Sequence, residues 1–257
     1  PKHELAAKVE DTARHLGITD VLHKSPRGLG LSEIQRAAIG RSIILDPKIL
    51  LLDEPLSNVD AKVREKMRTE LKKIQKEIGI ATVYVTHDQV EAMALGDRIA
   101  VMRDGLIEQM APPDEIYAHP SNVFVADFIG TPPMNLIECE VLDKGDGIFL
   151  DAQDFTIDIT GFAKLTRRKA AGPELIMGIR PEDLSISTEK TNPKAIHGEV
   201  RLIESLGLSS IYHLKVGQKP LLVKGAPMEM EVGDKVWVTF DLEKLHLFDK
   251  KSKAGIC

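Results

Sequence analysis

Residues 49–55, ILLLDEP, constrain the fold more than any other stretch of the chain. Four consecutive apolar residues with no polar alternation describe a strand covered on both faces, and such strands belong to parallel sheets packed between helices. The run passes directly into Asp53 and Glu54. Both carboxylates are therefore delivered to the carboxyl edge of that sheet, where α/β folds bind ligands. A second run, IATVYVT over residues 80–86, has the same character and ends at His87. Between the two runs, Asp60 is placed to cap a helix whose apolar stripe is Val63, Met67, Leu71, Ile74 and Ile78. Gly79 is its expected stop.

The flanking segments extend this pattern. Residues 3–17 carry Leu5, Val9 and Leu16 at helical spacing, with Gly17 as a stop. A glycine-containing stretch, SPRGLGLSE, leads into a helix over about 33–45 that Asp46-Pro47 ends. A short helix is expected over 89–95, and a hairpin over 98–110 turning at Asp104-Gly105. Of two short helices that follow, the second is expected to be capped by Ser121 and stopped by Gly130. Alternating strands and helices give an α/β architecture.

The texture changes after Thr131-Pro132-Pro133. Short apolar runs such as GIFLD, LIMGIR, IYHLKV and KVWVTF recur between turn signals, and helical periodicity fades. This predicts a small all-β barrel. The domains are therefore expected at 1–130 and 131–257. Within the second, Arg180 and Glu182 of GIRPED predict a buried ion pair, and Trp237 predicts a core or half-buried strand position.

Composition narrows the function classes. A chain of 257 residues with 43% hydrophobic content has room for two domains. A net charge of −5 offers no basic excess for nucleic acid. Two cysteines far apart fit a reducing cytosol better than a disulfide framework. The eight histidines lack the spacing of a metal site. No apolar run reaches the length of a membrane span. The chain opens on Pro1 rather than Met, which is read here as an amino-terminal truncation.

A carboxylate at the position of Asp53 suits Mg²⁺ held through its water shell. Glu54 beside it is placed to polarise a water, and His87 at the same edge to touch a phosphate oxygen. Each feature alone is compatible with a solvated strand end. Their order, strand-Asp-Glu-Pro, Ser-Asn-Val-Asp, strand-Thr-His-Asp, is far more specific. LLLDEPLSNVDAKVR resembles the Walker B motif and D-loop of ABC transporter ATPases, and VYVTHDQVEAMALGDRIAVM resembles their switch-histidine segment. GIRPED and FDLEKLHLFD are similar to the carboxyl-terminal regulatory domain of the subfamily that imports sugars and glycerol phosphates.

The resemblance implies an α/β P-loop NTPase core followed by an OB-like barrel of the TOBE/MOP type, with ATP and Mg²⁺ as cofactors. It implies Asp53 as the metal carboxylate, Glu54 as catalytic base and His87 as switch residue. Ser57 and Asp60 would lie in the loop that crosses a dimer interface, and Gly30 and Ser32 in the signature facing a partner's nucleotide. The implied partners are a second ATPase subunit, membrane permease subunits and, through them, a solute-binding protein. The implied place is the cytoplasmic face of the membrane.

Two departures stand out. The sequence contains no G-x-x-x-x-G-K-S/T phosphate loop, nor the glutamine loop that accompanies it. The signature is also altered. A gap-free alignment puts Leu29, Gly30, Leu31, Ser32 and Glu33 where the family has leucine-serine-glycine-glycine-glutamine; an alignment with a deletion matches Leu31, Ser32 and Gln35 instead. Either way the glycine pair that admits close backbone approach to phosphate is lost. The alternative reading is therefore a non-catalytic module that serves interaction or regulation.

Overall fold

The structure, a computed structural model, describes residues 2–57, 59–145, 147–160 and 173–256. It divides into two compact units, Pro1–Asp97 and Arg98–Cys257.

The first unit contains α1 (Lys2–Leu16), α2 (Leu31–Ile43), β1 (Ile49–Asp53), α3 (Ala61–Ile78), β2 (Ala81–Val85) and α4 (Gln89–Leu95). β1 and β2 pair in parallel from Ile49 opposite Ala81 to Asp53 opposite Val85. α3 makes the crossover, as a parallel pair requires. The Asp60 side chain accepts a hydrogen bond from the Val63 N–H, and Gly79 ends the helix in the left-handed region at φ 65°. Met67, Leu71 and Ile74 of its stripe are buried with Leu16, Ile39, Leu50 and Leu56. α1 and α2 meet closely at Gly40, where an added Cβ would lie 2.9 Å from the Leu16 side chain.

One expectation is corrected here. β1 is not covered on both faces: Ile49 is 57% exposed and Leu51 72%. Val83 and Val85 of β2 are bare on the same alternation. Side chains alternate along a strand, and the helices of this unit pack on the face that carries Leu50, Leu52 and Tyr84.

The second unit opens with the hairpin β3 (Ile99–Arg103) and β4 (Leu106–Ala111). Asp104 and Gly105 turn it with φ of 52° and 81°, the paired positive angles a tight hairpin favours. α5 (Pro113–Ala118) and α6 (Val123–Phe128) follow. The cap of α6 is Asn122, whose side chain accepts from the Val125 N–H at 2.9 Å, and not Ser121 as expected. Ser121 is otherwise engaged: its N–H donates to Gln109 and its hydroxyl to the Glu108 carbonyl.

Two five-stranded sheets then form the β domain. One has the order β12-β11-β10-β13-β9 and the other β14-β8-β5-β6-β7. Their ranges are β5 (Asn135–Asp143), β6 (Ile148–Asp151), β7 (Thr156–Asp158), β8 (Glu174–Ile179), β9 (Leu184–Ser187), β10 (Ile196–Ser205), β11 (Ser210–Val216), β12 (Lys219–Gly225), β13 (Lys235–Phe240) and β14 (His246–Asp249). Both sheets contribute to one core, including Leu150, Leu175, Met177, Val200, Tyr212 and Val236. Buried Asn135 joins the sheets: its amide nitrogen donates to the carbonyls of Ile179 and Leu222, and its oxygen accepts from the Leu222 N–H. Trp237 is half-buried on its strand, edge-on to His197.

The expected Arg180–Glu182 ion pair does not form. Arg180, 2% exposed, instead donates to the backbone carbonyls of Ile129 and Tyr117 and lies 3.6 Å over the Tyr117 ring. Burial pulls its pKa down to about 10. Glu182 accepts from the Tyr117 hydroxyl, and burial raises its pKa. These bonds tie the segment before Gly130 to the sheets. Backbone bonds from Val123 to Lys253 and from Gly255 to Ser121 do the same. The compact unit accordingly begins at Arg98, well before the prolines at 132 and 133.

Two outcomes follow. Arg180→Ala removes the donors to the buried Ile129 carbonyl and the half-buried Tyr117 carbonyl and should cost about 3 kcal/mol. Urea unfolding followed by the fluorescence of Trp237, the one tryptophan of the chain, measures this. The pKa of His246 is pushed down to about 4, first by burial and then by Arg180, His119 and Lys244. The unfolded imidazole thus binds its proton more readily than the folded one. Stability from this group should be complete above about pH 6.5 and decline as the pH falls toward 4, and His246→Gln should flatten that decline.

Candidate functional site

The site grows from the β1–β2 pairing. Because the strands are parallel and in register, their carboxyl ends lie together, and the residues that follow them emerge at one rim. Asp53 is the last residue of β1, directly opposite Val85, and its side chain is exposed to solvent. Glu54 extends the pairing with its N–H donating to the Val85 carbonyl at 2.9 Å. Its φ is 41°. A left-handed backbone on a residue with a Cβ costs about 1–2 kcal/mol and recurs at functional positions.

His87 meets Glu54 at this rim, with Nδ1 3.1 Å from Oε1. A carboxylate only accepts, so the imidazole donates from Nδ1. The side chains are 72% and 45% exposed. A contact so solvated contributes under about 1 kcal/mol. The contact therefore serves placement of the two groups and adds little to stability.

The neighbouring loops are held by bonds that sequence reasoning missed. Arg64 on α3 donates to the Val59 carbonyl at 2.9 Å and pairs with Asp88 at 3.3 Å. Asp88 also caps α4 by accepting from the N–H groups of Val90 and Glu91. One guanidinium thus links the Ser57–Asp60 loop to the residue after His87. The sequence signal was the Asp immediately before a helix, a capping pattern read only as part of Thr-His-Asp. Below the rim, Tyr84 and Thr86 donate to buried Glu91 at 3.0 and 2.8 Å. Burial raises the Tyr84 phenol pKa, and Glu91 adds to it. Gln35 of α2 donates to the Pro55 carbonyl, which ties α2 to the Asp-Glu-Pro turn.

Ser57 and Asp60 lie in the exposed turn after Glu54. The Ser57 hydroxyl donates to the Glu54 carbonyl at 3.0 Å, and Asp60 caps α3. Gly30 stands at the start of α2 with its N–H donating to Glu33 at 2.7 Å. This is the return half of a capping box, the only half a glycine permits. Leu31 begins the helix with its side chain half exposed. Ser32 turns inward and donates to Glu70 at 2.8 Å, where Arg36 also binds. Burial opposes ionisation of Glu70, but the Arg36 and Ser32 bonds outweigh it and hold its pKa below the ordinary value. The structure therefore brings Asp53, Glu54 and His87 to one rim, with Ser57 bonded to Glu54. It gives Gly30, Ser32 and Asp60 separate local bonds.

Residues 130–184 match the MalK OB fold domain and residues 177–248 the TOBE domain. Over 263 residues the chain is 42% identical to the trehalose/maltose import ATP-binding protein MalK of Thermococcus litoralis, covering all of this chain and 70% of that protein. The chain belongs to the ATP-binding proteins of ABC importers. It is 40% identical to the xylose/arabinose import ATP-binding protein XacK of Haloferax volcanii, over 97% of this chain and 65% of that one. It is 38% identical to the oligosaccharides import ATP-binding protein MsmX of Bacillus subtilis, over 100% and 71%. This member thus spans between 65% and 71% of the length of these relatives. By family it is an ABC-type transporter ATPase, with an α/β ATPase portion and a β domain of the OB/TOBE kind. No helix among its described residues is long and apolar enough to cross a membrane.

The cofactors of the family can be tested against the residues present. Mg²⁺ fits Asp53: an exposed carboxylate at a strand end suits a hard cation that keeps most of its waters. ATP fits in part. The rim supplies groups for the phosphate end, but this sequence carries no G-x-x-x-x-G-K-S/T stretch to supply an N–H cradle.

The capping role of Asp60 can be separated from any role at an interface. Asp60→Ala should lower the stability of the chain by about 1 kcal/mol, whereas Asp60→Asn should change it by only a few tenths. Thermal unfolding of the two variants decides.

Proposed function

We propose that this chain is part of the ATP-hydrolysing subunit of an ABC importer for carbohydrate or glycerol-phosphate-type solutes. The observation that carries the reading is the shared rim, where Glu54 and His87 stand 3.1 Å apart beside Asp53. Asp53 would hold Mg²⁺ through water, and the ion when bound would neutralise charge on the phosphates. Glu54 would take the hydrogen bond of the attacking water, and His87 would orient the same water or the terminal phosphate from the other side. Ser57 and Asp60 would face a second ATPase subunit across a head-to-tail interface, with Gly30 and Ser32 toward that subunit's nucleotide. Residues 1–130 would form the ATPase part and 131–257 the regulatory part, a division that the start of the OB match at residue 130 supports. The subunit would sit on the cytoplasmic side of the membrane against permease subunits, which in turn receive solute from a binding protein.

In this reading the ATP cradle comes from outside these residues, so the chain by itself binds ATP poorly. The second reading, a non-catalytic interaction or regulatory module, is favoured by one observation: Leu31 occupies the signature with its side chain half exposed, where close backbone approach needs glycine.

Calorimetric titration of the chain with Mg-ATP should show no binding tighter than about millimolar; a micromolar Kd would overturn the assignment of the cradle to another segment. Within an assembled importer that supplies the phosphate loop, Glu54→Gln and His87→Ala should each slow hydrolysis by about 10²–10⁴ while nucleotide remains bound. Undiminished turnover in both would favour the non-catalytic reading.

A further inference from the structure

The two sheets of the second unit share a core, and among the described residues β7 is an edge strand that pairs with β6 alone. Beside that free edge lies a cavity of about 290 Å³. Its walls include Phe149 on β6, Asp158 on β7, Phe240 at the end of β13, Lys144, Asn192 and Lys194. Phe240 is held in place by a tilted contact with Phe155 at 6.1 Å. A partly open barrel mouth of this kind is a common place for a small-molecule pocket.

The polar groups of the cavity are unequally matched. Asp158 is fully engaged: one carboxylate oxygen accepts from the Thr160 hydroxyl and N–H, and the other takes the Lys194 ammonium at 2.9 Å. Thr160 and Lys194 hold the Asp158 carboxyl far below its ordinary pKa. It therefore remains charged and neutralises Lys194. Lys144 is different. Its ammonium lies 5.1 Å from the centroid of the Phe149 ring, and among the described residues no carboxylate forms an ion pair with it. Among the described residues the cavity thus presents one cation without an ion-paired carboxylate, and further N–H donors, next to two phenyl rings. Inorganic phosphate would leave both rings unused.

We propose that this cavity binds a small organic anion, its carboxylate meeting Lys144 and its hydrocarbon or aromatic body lying against Phe149 and Phe240. The volume suits a molecule of roughly the size of benzoate. The site makes the β domain a receptor for a metabolite-sized acid, independent of the rim that carries Asp53.

The test uses the full chain, with benzoate, its neutral isostere benzamide and inorganic phosphate as probes, followed by amide chemical shifts. Benzoate should shift resonances around residues 144–158 and 239–242. Benzamide should bind about tenfold more weakly, the loss of one charge-assisted hydrogen bond. Lys144→Gln should reduce benzoate affinity by about the same factor, and Lys144→Arg should retain most of it. Phe240→Leu should weaken benzoate without affecting phosphate. Equal binding of benzoate and benzamide, preference for phosphate, unchanged affinity in Lys144→Gln, or no shifts at these residues would overturn the proposal. Any of these failures would leave the reading of the Asp53–Glu54–His87 rim intact, because ATP takes no part in the measurement.

Discussion

Everything at the candidate site depends on the parallel, in-register pairing of β1 with β2. Parallel strands must be joined by a crossover, and α3 supplies it between Asp60 and Gly79. That connection returns the chain so that both carboxyl ends face the same way. Antiparallel pairing of the same two runs would send Asp53 and His87 to opposite ends. The single hydrogen bond from Glu54 N–H to the Val85 carbonyl carries the pairing one residue past the strand. It also fixes Glu54 in a conformation a free residue would leave.

This economy explains why the rim is built from weak contacts. The Glu54–His87 pair is too exposed to hold the loops in place. The loops are instead held from behind. Buried Leu56 anchors the turn after Asp-Glu-Pro, Arg64 joins Val59 to Asp88, and Gln35 reaches the Pro55 carbonyl. Side chains that would meet a phosphate are left in solvent, and those that position them are half-buried and bonded. Such a division keeps the outer groups available while limiting their freedom.

The sequence made the strands, the crossover helix and the rim legible because each is a local pattern with its own mechanism. Apolar runs predicted β1 and β2, period-3.6 spacing predicted α3, and Asp60 and Gly79 marked its ends. The errors lie where a choice depends on neighbours distant in sequence. Ser121 and Asn122 are both competent caps; Asn122 takes the role because Ser121 bonds to Gln109 and Glu108. Arg180 and Glu182 have opposite charges two residues apart, yet Arg180 turns to the carbonyls of Tyr117 and Ile129. Coverage of β1 on both faces was inferred from its lack of alternation, but hydropathy states only what a strand tolerates, and the packed helices decide which face is buried. Arg64 was unreadable for the same reason: nothing in its local sequence identifies Asp88 as its partner.

If residues 29–33 serve as the signature, as proposed, such local bonds bear on its chemistry. A helix start attracts an anion because its first N–H groups lack partners. At α2 one of the nearby donors is already used, since the Gly30 N–H is bonded to Glu33. The Ser32 hydroxyl is also committed, to a Glu70 that Arg36 keeps ionised. A phosphate arriving here would have to displace a carboxylate from Gly30 and draw Ser32 from Glu70, each exchange giving up about 1 kcal/mol. Leu31 would meanwhile lie in the approach. The same residues that make α2 a stable helix in this chain would therefore compete with a phosphate brought there under the proposed reading. A signature that works must gain more from the phosphate than these internal bonds provide.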